Sequence, residues 1–240
     1  MNIKRYIATI ILAIVLLLNF SCTDWLDVKP VDRMSEDQLY STEAGFRQAL
    51  NGIYVELNHA DLYGDELLVN TVEILAQRYK FSSMGTLTNQ YHLAEFDYTT
   101  DYAKKCGSRI WEKAYALIAN VNKLLKNADS HKDLFTGDSY DLITGEAYAL
   151  RAFLHFDLLR LFGPVYKTHK EDKSICYNTQ FSLSGSDLLP ASKVMEYVIA
   201  DLKEAEDRLA KDPIIEERYQ PCYPMVRQKK RIFGDTVHYV

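Results

Sequence analysis

The chain has 240 residues, of which 48% are hydrophobic and 25% are charged, and these fractions exclude a disordered or collagen-like chain. Its net charge of −5 at pH 7 argues against a nucleic-acid-binding protein, because such proteins usually carry a basic excess or a basic stripe. The four cysteines are too few and too irregularly spaced for a disulfide scaffold.

Residues 1–21 are predicted to be a lipoprotein signal peptide. Lys4 and Arg5 form a short basic region, and residues 7–18 are an almost continuous apolar run. A stable transmembrane helix needs about 20 apolar residues, so this shorter run is more typical of a signal-peptide core. A small residue precedes Cys22, as in bacterial lipoproteins, and we expect Cys22 to be lipidated as the first residue of the mature protein. An uncleaved anchor and a simple secretory signal are the alternatives.

Residues 22–40 show no sustained period and are predicted to form a tether that leads into the fold. The first helix signal is Thr42 followed by Glu43, a capping residue and an acid in the first turn. Apolar residues then recur at helical spacing, namely Phe46, Leu50, Ile53, Tyr54 and Leu57. A second helix is predicted over residues 65–79, where one side carries Leu68, Val72, Leu75 and Ala76.

Residues 80–108 show no helical period, and a long irregular segment inside a compact domain is often functional. Residues 79–102 interleave aromatic with polar side chains. Aromatic rings stack on the apolar faces of sugars, while amide and hydroxyl side chains hydrogen-bond sugar hydroxyl groups. The candidate ligand-binding residues are Tyr79, Asn89, Gln90, Tyr91 and His92. The alternative is a loop whose rings only cover the helices beneath it.

Two long helices, beginning at Arg109, are predicted to form an αα-hairpin, the unit of helical repeat proteins. The first carries an apolar stripe over residues 111–125, and the second carries one over residues 143–161. Gly163-Pro164 ends the second helix, because glycine caps helices and proline cannot continue them.

The part of the chain after the hairpin is irregular over residues 165–190, where short strands are possible, and helical over residues 194–209. No clear strand alternation occurs along the chain. The fold is therefore predicted to be mainly α.

No catalytic or metal-binding motif is recognisable. The chain has no Cys-x-x-Cys and no pair of histidines four residues apart with an acid between them, so neither a metal site nor a cofactor is predicted. It also lacks Gly-x-Ser-x-Gly and a Gly-rich phosphate loop, which favours a binding protein over an enzyme. A glycosidase with paired carboxylates stays open, because the sequence does not show which acids meet. His155, between aromatic neighbours, is expected to be a packed core or interface residue.

Several segments of the chain match one known family, and they do so in the same order. They are the run Ser-Cys-Thr-Asp-Trp-Leu-Asp-Val-Lys-Pro and stretches of the later helices, at residues 21–30, 46–57, 62–65, 72–79, 111–122 and 145–164. Over about residues 21–210 the chain thus resembles the SusD/RagB family of outer-membrane lipoproteins of Bacteroidetes.

The resemblance implies a mainly α fold with a tetratricopeptide-like helical-repeat scaffold and long irregular loops. Family members bind glycans or peptides at the cell surface, without catalysis, and cover a TonB-dependent barrel of the SusC type. For this chain it implies a lipid anchor at Cys22 and a place in the outer membrane that faces outward. The implied partners are a SusC-like transporter, an oligosaccharide ligand and the membrane, with no nucleic acid.

The C-terminal residues depart from the family, whose members are about twice as long. Residues 41–212 are interpreted as a SusD-like N-terminal helical domain, and residues 213–240 as an atypical tail produced by truncation or a frameshift. Such a fragment need not be functional. Two other functions stay open, a helical-repeat lipoprotein adaptor that binds only protein and, less favoured, a lipid-anchored glycoside hydrolase.

Overall fold

The computed structural model describes residues 35–81, 85, 87–181, 186–210 and 212. The chain divides into a leading unit, residues 1–38, and a main unit, residues 39–240. The predicted signal peptide, Cys22, most of the predicted tether and nearly all of the predicted tail lie outside the described residues, so these assignments stay predictions.

The described residues are mainly helical. Their helices are, in order, α1 (Glu36–Leu39), α2 (Glu43–Leu57), α3 (Thr71–Leu75), α4 (Thr88–Ala94), α5 (Asp101–Ser130), a 3-10 turn (Lys132–Leu134), α6 (Ser139–Phe162), α7 (Tyr166–His169) and α8 (Ala191–Leu209). Within the described ranges, the strands considered for residues 165–190 are reduced to one isolated bridge between Lys173 and Pro190. The prediction of a mainly α fold is confirmed.

Helix α2 begins where the sequence predicts. The side chain of Thr42 accepts a hydrogen bond from the backbone N–H of Gly45 at 3.1 Å, which satisfies one of the free N–H groups at the helix start. Phe46, Leu50 and Ile53 then face the core and are almost fully buried. The capping residue and the apolar spacing therefore both predict this helix and its first residue.

Two glycines of α2 are expected to respond in opposite ways to the same substitution. A Cβ on Gly45 would lie 1.7 Å from the backbone oxygen of Leu39, whereas a Cβ on Gly52 would meet nothing within 4 Å. Gly45→Ala should lower the free energy of unfolding by about 1–3 kcal/mol through steric strain. Gly52→Ala should raise it by about 0.5–1 kcal/mol, because glycine is a poor residue inside a helix. Urea unfolding of both variants measures the two effects, and equal shifts would contradict this packing.

The main core lies between α2, α5, α6 and α8. Helices α5 and α6 form the predicted hairpin, and α6 also packs along α8. Gly163 follows the last residue of α6, as predicted. The fully buried side chains include Phe46, Leu117, Ile118, Val121, Leu124, Ile143, Leu154, Leu158 and Val194.

The predicted helix over residues 65–79 is mostly wrong. Residues 58–70 form a series of hydrogen-bonded turns, and only Thr71–Leu75 is helical. The carboxylate of Glu66 is buried, where it pairs with Arg109 and accepts a hydrogen bond from Thr71. Gln77 has a φ of 59°, a conformation that L-residues seldom adopt and that a right-handed helix cannot contain. These two constraints interrupt the helix that the apolar spacing predicts.

The prediction that residues 80–108 lack helix is also wrong. Thr88–Ala94 forms α4, and α5 begins at Asp101, eight residues before the predicted start at Arg109. The side chain of Thr100 caps α5 by accepting a hydrogen bond from Ala103 N–H at 3.3 Å. The first turns of α5 are polar on most sides, so their sequence shows little of the hydrophobic period that predicts a helix.

Candidate functional site

A second hydrophobic cluster joins α3 and α4 to the first turns of α5, and we call this part of the molecule the lobe. Ile74, Leu93, Ala94 and Ala103 are its buried members. The side-chain amide of Gln77 donates to the carbonyl oxygen of Ala94 at 2.6 Å. The lobe is thus held by a small core of its own, apart from the main core.

Four of the five predicted ligand-binding residues lie together on α4. Asn89 is exposed, and Gln90, Tyr91 and His92 are half-buried. The rings of Tyr91 and His92 meet edge to face, with centroids 5.6 Å apart. His92 Nδ1 also lies 3.6 Å from Asp97 Oδ2. The α4 surface, defined as these four residues, therefore combines amide groups with two aromatic rings on one short helix.

Tyr79 lies outside α4, on the chain that follows α3. Its ring is 44% exposed, its hydroxyl donates to the carbonyl oxygen of Val69 at 3.1 Å, and its nearest described aromatic partner is Phe81, at 6.0 Å. The described contacts of Tyr79 are therefore with the turns of residues 58–70 and with Phe81. They do not include the four residues of the α4 surface.

A cleft of about 590 Å³ opens between the lobe, α5 and the end of α6. This volume is within the range of about 300–1,000 Å³ that is usual for small-molecule sites. None of the five predicted residues is among the described residues that line it. Leu93, their neighbour on α4, does line it. Helix α4 therefore borders the cleft through Leu93, while the four residues of the α4 surface do not line it.

The cleft has an aromatic floor and a polar rim. We call the half-buried lining residues Gly107, Trp111 and Phe162 the floor. The indole of Trp111 meets the ring of Phe162 at 85° with centroids 5.2 Å apart. The ring of Tyr98 is 58% exposed at the cleft. The sequence predicts Trp111 only as part of a core stripe, because helical spacing does not show which residues border an open space.

The rim is a row of polar side chains on α5. Lys104, Ser108 and Glu112 follow one another at intervals of four residues, so they lie on one face of the helix. All three are exposed. The row offers a cation, a hydroxyl and a carboxylate along the edge of the apolar floor.

A buried polar cluster joins α5, α6 and α8 to the irregular segment after α7. Two nitrogens of Arg151 donate to the two carboxylate oxygens of Asp201, each at 2.7 Å, and the Tyr177 hydroxyl donates to Asp201 at 2.6 Å. A third nitrogen of Arg151 donates to Asn122 Oδ1 at 3.0 Å. The amide of Asn122 in turn donates to the carbonyl oxygen of Asn178 at 2.8 Å. The cluster thus ties an irregular backbone to three helices.

His155 belongs to the same cluster and is fully buried, as the sequence predicts. Its Nδ1 lies 2.8 Å from the carbonyl oxygen of Arg151, and its Nε2 accepts a hydrogen bond from Asn178 N–H at 3.0 Å. The ring stacks on Tyr177 with centroids 3.9 Å apart. Burial, with a smaller contribution from the charge of Arg151, lowers the pKa of His155 to about 4. The imidazole is therefore neutral at pH 7 and serves packing.

The described residues contain no group of three or more His, Cys, Asp or Glu side chains placed to hold a metal ion. In the part of the chain that the structure describes, every helix is too short or too polar to cross a membrane.

A helical hairpin scaffold, here with a cleft beside a small lobe, is typical of the helical-repeat class of folds. A family model described as "Starch-binding associating with outer membrane" matches residues 24–222. The chain therefore belongs to the SusD/RagB family, and the resemblance seen in the sequence is confirmed.

Known proteins with similar sequences are SusD-like proteins as well. SusD-like protein P2 of Formosa agariphila is 27% identical over 208 residues, which are 86% of this chain and 38% of that protein. This chain thus spans little more than a third of the length of that relative. Relatives of this family are described as starch-binding and as associated with the outer membrane.

Solved structures support the fold. A SusD-like carbohydrate-binding protein of Bacteroides vulgatus superposes with a TM-score of 0.59 at 21% identity, covering 71% of this chain and 36% of that one. A structure described as a putative sugar-binding protein of the same species gives a TM-score of 0.55 at 24% identity, covering 69% of this chain and 37% of that one. The tetratricopeptide-like helical scaffold implied by the resemblance is confirmed.

Proposed function

We propose that this protein is a lipoprotein on the outer face of the outer membrane that binds an oligosaccharide and delivers it to a SusC-like TonB-dependent transporter. The observation that carries the proposal is the match of residues 24–222 to a family described as starch-binding and associated with the outer membrane. Lipid attached to Cys22 is the proposed anchor. The protein performs no covalent chemistry on its ligand and needs no cofactor.

The α4 surface is the proposed glycan-binding site, and Tyr79, on the chain that follows α3, is proposed as a separate contact for the same ligand. The rings of Tyr91 and His92 are half-buried, so each is held by packing while part of it is open to a ligand. Aromatic rings offer large apolar faces at low conformational cost. The amides of Asn89 and Gln90 supply both donors and acceptors, as sugar hydroxyl groups require. Stacking and hydrogen bonding together support binding without catalysis.

Replacing Tyr91 with alanine is expected to weaken binding to a glycan by about tenfold, which corresponds to about 1.4 kcal/mol. The physical reason is the loss of one stacking ring from the α4 surface. Affinity electrophoresis in gels that contain soluble starch, laminarin or xyloglucan measures the retention of the full chain.

Tyr166→Ala is the control, because it removes a tyrosine ring that is 42% exposed and lies on α7, outside the lobe. The control should be retained like the wild type. Unchanged retention of Tyr91→Ala would remove this residue from the site. If no glycan retains the wild-type chain while a protein partner does, the adaptor function replaces the glycan-binding function.

A further inference from the structure

We propose that the cleft between the lobe, α5 and α6 holds a stretch of a neutral oligosaccharide. This inference rests on the proposed function, and it adds a second binding site to the α4 surface. Its ligand class follows from the chemistry of the floor and the rim. No predicted residue pointed to this cleft, since the residues that define it are spread over α4, α5, the end of α6 and the chain that joins α4 to α5.

The floor suits the apolar face of a sugar ring. A Cβ placed on Gly107 would be 3.6 Å from the ring of Phe162. The absence of a side chain at this position therefore leaves the aromatic floor open. Trp111 stands nearly perpendicular to Phe162, so the floor presents ring edges as well as faces. Tyr98, mostly exposed at the mouth, offers a further face.

The rim suits the hydroxyl groups of the same ligand. Lys104 and Glu112 are eight residues apart on α5, which places them about 12 Å from each other along the helix. Ser108 lies between them. No described side chain forms a hydrogen bond or an ion pair with Ser108 or Glu112, so both are open to a ligand. A lysine donates, a carboxylate accepts and a hydroxyl does both, and each sugar hydroxyl group can pair with any of the three.

The charges of the rim give no net attraction to an acidic glycan. Lys104 and Glu112 both line the cleft and carry opposite charges, so the row as a whole is neutral. A uronate or sulfate group would gain at Lys104 about what it loses at Glu112, and binding therefore depends on stacking and on hydrogen bonds to hydroxyl groups. The cleft volume of about 590 Å³ also leaves room for more than a solvent molecule. A neutral, hydroxyl-rich chain with apolar ring faces is the ligand that satisfies floor and rim together.

Filling the cleft at Gly107 tests the inference. Gly107→Leu extends a side chain over the aromatic floor, whereas Gly107→Ala adds only a methyl group that fits at ordinary contact distance. We expect Gly107→Leu to weaken retention in gels of soluble starch, laminarin or xyloglucan at least tenfold. Gly107→Ala should stay within twofold of the wild type. Thermal unfolding of each variant verifies that it folds.

Glu112→Gln is the second variant, since Glu112 is exposed and has no described partner, so its replacement leaves the fold intact. It should weaken retention severalfold, because a charged acceptor forms stronger hydrogen bonds than an amide. A gel of polygalacturonate supplies the acidic comparison. The wild type should show little retention there.

The outcomes separate this inference from the proposed function. If a neutral glycan retains the wild type and also retains Gly107→Leu and Glu112→Gln equally well, the cleft is not a binding site and the proposed function stands. Preference for polygalacturonate would overturn the neutral ligand class. If none of the glycans retains the wild type, the proposed function fails and the cleft inference fails with it.

Discussion

Replacing Asp201 with alanine is expected to lower the free energy of unfolding by about 3–5 kcal/mol, the usual cost of removing one partner from a buried ion pair. The side chains of Arg151 and Asp201 are 7% and 11% exposed. Without Asp201, the guanidinium loses two hydrogen bonds of 2.7 Å and stays in the interior with its charge unpaired. The Tyr177 hydroxyl loses its acceptor as well. Urea unfolding at pH 7 measures the change.

The pair Lys193 and Glu196 is the matched control. Its 2.6 Å ion pair lies on the surface of the same helix, with the side chains 47% and 64% exposed. Lys193→Ala should change the free energy of unfolding by less than about 1 kcal/mol, because exposed pairs contribute little. The double variant Arg151→Met with Asp201→Ala should lose less free energy of unfolding than the two single variants lose together. Removing both side chains leaves no unpaired charge in the interior. Additive losses would contradict a coupled pair.

Acid should destabilise the protein through His155. The pKa of this imidazole is about 4 in the folded chain, against 6.5 for an unperturbed histidine. The unfolded state therefore binds a proton at a higher pH than the folded state does. Stability from this group is complete above pH 6.5, falls as the pH is lowered from 6.5 to 4, and by pH 4 the loss approaches about 3 kcal/mol.

Comparing variants isolates the contribution of His155 from that of the carboxylates, which titrate in the same range. His155→Gln should be less stable at pH 7, because its amide cannot reproduce the stacking on Tyr177, but its stability should fall less steeply between pH 6.5 and 4. His169→Gln, at an exposed position, should keep the wild-type slope. Urea unfolding at several pH values measures the slopes. Parallel curves for the wild type and His155→Gln would show that His155 does not titrate differently on folding.

The sequence predicts those helices whose signals are local. Thr42 and Glu43 mark the start of α2, and Gly163 marks the end of α6, because capping acts within a few residues. The apolar stripes of α5, α6 and α8 predict the hairpin and the main core. By contrast, the turns at residues 58–70 depend on Glu66 meeting Arg109, 43 residues later, and no local pattern records such a pairing.

The site is predicted less well than the fold. The residue types of Tyr91 and His92 make them candidates, but the helix on which they lie, α4, has no clear apolar period in the sequence. The cleft was missed because it needs Trp111 and Phe162 to meet across two helices. The bond between Arg151 and Asp201 joins residues 50 positions apart, so it too has no signature in the sequence.

Helix α5 takes part in two hydrophobic clusters, with Ala103 in the lobe and Ile110 onward in the main core. The two clusters have no buried member in common, so substitutions in one are expected to affect the other only weakly. Mutations in α4 should therefore draw mainly on the stability of the lobe. In evolutionary terms the scaffold and the proposed recognition surface are then largely separable, so specificity can diverge while the fold is retained.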